Sequence, residues 1–101
     1  MFNLFVPNQE HLLREIIADY EDDLAVAREQ LDMLRVNEAK LRYAMEELKE
    51  HGELDEARRV QEDLNVAIHR VRAQEELIQR MERLLDTYRK QLVILERQCR
   101  H

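Results

Sequence analysis

Apolar residues recur at alternating steps of four and three along two long stretches of this chain, and its only glycine lies between them. The first series runs Leu13, Ile17, Tyr20, Leu24, Ala27, Leu31, Leu34, Glu38, Leu41, Met45, Leu48. The second runs Ala57, Val60, Leu64, Ala67, Val71, Gln74, Ile78, Met81, Leu85, Tyr88, Leu92, Leu95, Cys99. Of these 24 positions 22 are apolar, in a chain that is 45% apolar; chance would supply about 11. A period of 3.5 sustained this long is the seam of a left-handed coiled coil, with Ile17 and Ala57 at a sites and Leu13 and Val60 at d sites.

The two series are out of phase. Continuing the first would place Gly52 and then Asp55 on the seam. A phase break at the sole glycine predicts a reversal of direction. The expected fold is all-α: a long antiparallel two-helix coiled-coil hairpin forming one domain. It divides into a short apolar N-terminal arm at 1–7, a first helix over 8–51, a turn at 52–54 and a second helix over 55–100. Pro7 disfavours helix at the residue before it, and Asn8 can then serve as N-cap. Glu10 and Lys49 complement the two ends of the first helix dipole. Gly52 suits the left-handed position that ends a helix. Asp55 is the expected N-cap of the second helix, with Glu56 in its first turn and Arg97 near its end.

Composition removes other classes. One Gly and one Pro among 101 residues cannot supply the turns of a sandwich or barrel, nor a glycine-rich phosphate cradle. With 38% charged residues and no long apolar run, no membrane insertion is expected. A single cysteine excludes an intramolecular disulfide framework. The stretch Met1–Val6 has no basic start and is too short for a secretory signal, so the expected setting is the cytoplasm. The net charge of −6 argues against direct nucleic-acid binding. Acidic mimicry of nucleic acid is a remote alternative, diluted by 16 interspersed basic residues.

Two registers compete. A short turn sets Leu34 opposite Val71 and Leu41 opposite Leu64. The e rows pair best when slipped by one heptad: Arg14 with Glu96, Glu21 with Arg89, Arg28 with Glu82, Arg35 with Glu75. The slip would also set Glu38 beside Gln74. Exposed ion pairs are weak, so the turn is expected to prevail and the charge match to serve contacts between chains. Glu38 and Gln74, polar on otherwise apolar seams, are candidates for fixing register. Alternatively, Glu38 reaches out to Arg42 one turn on.

The apolar surface is wider than one seam. Ile68, Leu77 and Leu84, with Val93 and Ile94, exceed what the second helix needs, and Leu12 and Ile16 flank the first. This predicts a homodimer in which two hairpins form a four-helix bundle, with Ile68, Leu77 and Leu84 as the oligomer surface. The alternative is a monomer whose N-terminal arm covers the surplus.

Nothing points to chemistry. His11, His51, His69 and His101 include no i, i+4 pair and no Glu-x-x-His spacing. The acidic runs Asp19–Asp23 and Glu46–Glu53 read as solvated helix faces, and Cys99 as a small seam residue. No catalytic, metal-binding or cofactor-binding residue is expected. Val26, Met33, Val36 and Tyr43 sit at c and f sites, opposite the seam, and form the candidate partner surface. Phe2 and Phe5 of the arm are a second candidate, as a recognition peptide or as a lid near Leu12, Ile16, Val93 and Ile94. The expected function is a non-enzymatic protein–protein interaction module: a small adaptor, chaperone or inhibitor that covers another protein's surface with a helix face. The alternative is a purely structural oligomerisation spacer.

Overall fold

The computed structural model describes residues 9–99, with the side chain of Cys99 left aside. The N-terminal arm, including Phe2, Phe5 and the cap residue Asn8, therefore lies outside the described residues. Two helices pack against each other as a hairpin: α1, Gln9–Glu50, and α2, Leu54–Cys99. Neither contains Pro or Gly. Each has acids in its first turn (Glu10; Asp55 and Glu56) and a base in its last (Lys49; Arg97), as the helix dipole favours.

The turn is a double-capped reversal. Gly52 has φ +71°. Its N–H donates to the Lys49 carbonyl at 3.1 Å, and the N–H of Glu53 donates to the Leu48 carbonyl at 2.9 Å. These are the two bonds of a Schellman motif, with glycine in the left-handed position. The carbonyl of Glu53 then accepts the N–H of Ala57 at 3.0 Å, the first bond of α2. Glu53 thus closes one helix and opens the next. Asp55 lies inside α2 and is not its cap, because the second helix starts one residue earlier than its spacing suggests.

The chain divides into two compact units. The turn unit is Ala27–Leu77. Its buried residues are Ala27, Leu31, Ala57, Leu64, Ala67 and Val71, and Leu64 is the most enclosed at 1% exposure. Leu41 shares a cleft with Asp63, Val66 and Ala67, and Leu34 shares one with Arg70 and Gln74. These neighbours flank Leu64 and Val71, so the facing is the one set by the turn. Gln74 Nε2 donates to the Ala27 carbonyl at 2.9 Å and to Gln30 Oε1 at 3.3 Å. Glu38 accepts from Arg42 Nε at 3.0 Å. The two polar seam residues are satisfied separately and do not pair.

The terminal unit is Met1–Val26 with Ile78–His101. Leu13, Ile17, Leu24, Ile78 and Leu85 are buried there. The rings of Tyr20 and Tyr88 meet at 5.5 Å with an interplanar angle of 35°, a tilted aromatic pair.

The supposed conflict between turn and charge does not exist. Arg35 reaches Glu75 at 3.1 Å inside the turn unit. Arg14 reaches Glu96 at 3.5 Å and Arg89 reaches Glu21 at 2.6 Å inside the terminal unit. All three pairs were expected only after a heptad slip, yet they form in the turn-set register. The reason is side-chain direction. Every Cα–Cβ bond tilts toward its own helix N-terminus, so on antiparallel helices the two e rows lean toward one another. Ion partners are therefore offset from the seam residues that face each other. These pairs form within the chain.

Candidate protein-interaction surface

The hairpin has two different edges. On the e side of the turn unit, Arg35 and Glu75 bridge the helices. The g side has no such bridge among the described ion pairs, and Gln30 and Asn37 of α1 lie there with Arg70 of α2 along open clefts. An edge closed by ion pairs is already occupied, whereas an edge of amides and exposed apolar groups presents adaptable hydrogen bonding and surface that water covers poorly.

Among the described residues Met33 is the most exposed large apolar residue, at 73%, and Val36 is 54% exposed. They line one shallow cleft with Asp32, Asn37 and Lys40. The cleft has an apolar centre with an acid near one end and a base near the other. Met33 also lines the adjoining cleft between the helices with Leu34 and Gln74. Tyr43, also exposed, lies further along α1 and lines neither cleft. Val26 is exposed in the terminal unit. Met33 and Val36 are thus brought together, Tyr43 lies outside their cleft, and Val26 belongs to the other unit.

The surplus residues of α2 do not share one edge. Ile68 lies on the e row and is half-buried, whereas Leu77 lies on the g row and is exposed. Leu84, on the g row of the terminal unit, is exposed too. Val66 was not among the expected surface residues, yet it is exposed and lines the cleft with Asn37, Leu41 and Arg70. Its only signal is an apolar residue at a c site next to Ala67, whose small side chain leaves the cleft open. Leu54 is exposed in the first turn of α2.

In the terminal unit a second groove runs between the helices. Leu12, Leu13, Ile16, Ile94 and Leu95 line it together with Gln9, Tyr88 and Gln91. No Asp, Glu, Lys or Arg lines it among the described residues. Leu12 and Ile94 remain 47% and 53% exposed.

Elsewhere the polar groups are spent on local pairing. His11 meets Glu15 at 3.0 Å, and Lys90 meets Asp86 at 2.9 Å. Arg14 also bonds to Glu10 on its own helix. Among the described residues no three His, Cys, Asp or Glu gather as a metal-holding group, and no buried side-chain nitrogen or oxygen lacks a hydrogen-bond partner. No described helix is long and apolar enough to cross a membrane. Comparison of the chain with protein families, with curated proteins and with solved structures gives no match.

Proposed function

We propose that the chain is a non-enzymatic protein–protein interaction module, a small adaptor, chaperone or inhibitor that covers a partner protein with one helix face. The observation that carries this reading is the Met33–Val36 cleft. Two large apolar side chains stay exposed side by side, between Asp32 and Lys40. A flexible thioether adapts to varied apolar partners, and an apolar strip with charged ends suits a helix laid across it. The setting is the cytoplasm, the partner is a protein, and no cofactor, direct nucleic-acid binding or membrane insertion is involved.

The working unit in this proposal is a homodimer forming a four-helix bundle. Leu77 and Leu84 support it, since each is left exposed on the g row. Covering what remains exposed of each supplies part of the about 1.5–3 kcal/mol that fully burying such a side chain gains.

The test compares the wild-type chain with the double variant Met33→Asp, Val36→Asp. Both should keep the same circular dichroism spectrum and sediment near twice 12.3 kDa. Only the wild type should retain a stoichiometric partner from source lysate. Equal capture by a folded double variant would remove this surface, and a stable monomer at micromolar concentration would remove the dimer.

A further inference from the structure

We infer that α2 of one chain packs antiparallel on α2 of a second copy, with Asp63 of each facing Arg70 of the other across Val66. This contact rests on the homodimer proposed above and gives it a definite face.

The first observation is unspent charge. Asp63, Val66 and Arg70 line one cleft of the turn unit with Asn37, Leu41 and Ala67. On the opposite edge Arg35 and Glu75 satisfy each other. Asp63 and Arg70 have no ion partner among the described residues. Both are exposed, seven residues apart on the g row, which is about 10 Å along the helix.

The second is self-complementarity. A face that carries one acid and one base can satisfy a copy of itself. A two-fold axis across α2, midway between Asp63 and Arg70, sets each acid on the other chain's base and each base on its acid. Parallel pairing would set acid on acid and base on base, and repulsion opposes it. A foreign helix would need a base and an acid at the same spacing in reverse order. A second copy carries them by identity.

The third is what lies between the charges. The same axis passes beside Val66, which is 50% exposed. It brings Val66 against the partner subunit's Val66 and the partner subunit's Ala67. The small side chain of Ala67 lets the two helices approach closely. An apolar centre with charged flanks is the ordinary anatomy of a protein interface, and the charges set its register. Leu77, exposed on the same row, extends the face one heptad beyond Arg70. Neither Met33 nor Val36 lines this cleft, so the second copy and the foreign protein use different residues.

Sedimentation equilibrium of charge-reversed full chains tests the contact. Asp63→Arg alone and Arg70→Asp alone should each weaken the dimer at least about tenfold, since each sets like charges opposite at both ends of the contact. An equal mixture of the two variants should recover wild-type affinity, because every base then meets an acid. A chain carrying both changes should dimerise like the wild type for the same reason. Circular dichroism should stay unchanged throughout, both positions being exposed. Single variants that dimerise as well as the wild type would overturn this contact and leave the homodimer to another face. A mixture and a double variant that both stay dissociated would overturn it too. A wild-type chain that is monomeric at micromolar concentration would overturn the homodimer itself, and this contact with it.

Discussion

At the scale of the residue, Gly52 isolates a single physical term. Its φ is +71°, and a Cβ built there would meet nothing within 4 Å. Gly52→Ala therefore costs backbone strain alone, with no packing clash. The expected loss is about 1 kcal/mol, read as a lower urea midpoint with an unchanged slope. Gly52→Asn should lose less, because Asn tolerates the left-handed region. A stabilised Gly52→Ala variant would contradict the reversal. This glycine was legible in the sequence, because it coincides with the phase break. The double role of Glu53 was not: it resides in a backbone carbonyl, which no side chain advertises, and the N-cap preference of Asp drew attention to Asp55 instead. Gln74 was legible as a polar seam residue. Its principal partner, the Ala27 carbonyl, is again a backbone group that a pattern of side chains does not display.

At the scale of the element, the e rows decide what holds the edge together and how weakly. Arg35 and Glu75 meet at 3.1 Å with side chains 54% and 41% exposed. A double-mutant cycle with Arg35→Ala and Glu75→Ala should give a coupling energy under about 1 kcal/mol that shrinks as salt is raised. A coupling of several kcal/mol, insensitive to salt, would mean the pair is sealed from water. The rows themselves could be read from spacing. Their offset could not, because it depends on the tilt of Cβ on two facing helices. Seam depth was equally hidden: the 4–3 pattern treats Leu34, Leu41 and Leu64 alike. Leu64 is buried, while Leu34 and Leu41 border open clefts and are only half-buried. The edge taken by each surplus residue follows from heptad letters, but its exposure depends on neighbours such as Ala67.

At the scale of the molecule, the two units differ in how the chain enters them. The turn unit is one unbroken stretch, whereas the terminal unit is built from two stretches separated by the whole of the other. This difference sets an order of assembly. The residues of Arg35–Glu75 lie 40 apart in sequence and those of Glu21–Arg89 lie 68 apart. Loop closure alone separates these by less than the ~0.6 kcal/mol of one doubling. The larger effect is conditional. Once α1 and α2 have met around Gly52, the intervening chain is already ordered and the outer segments need only continue along it. If the inner stretch is unfolded, the outer segments must find each other across a disordered loop. On this argument the inner stretch is expected to stay formed while the outer one opens, and not the reverse. Native-state hydrogen exchange should report this as a gradient of opening energies. Amides near Leu64 to Val71 should exchange only through global unfolding, while those near Leu13 and Ile17 should exchange through a cheaper opening that leaves the turn intact. The reverse gradient would mean that the two ends of the chain meet first and the hairpin closes from its open end.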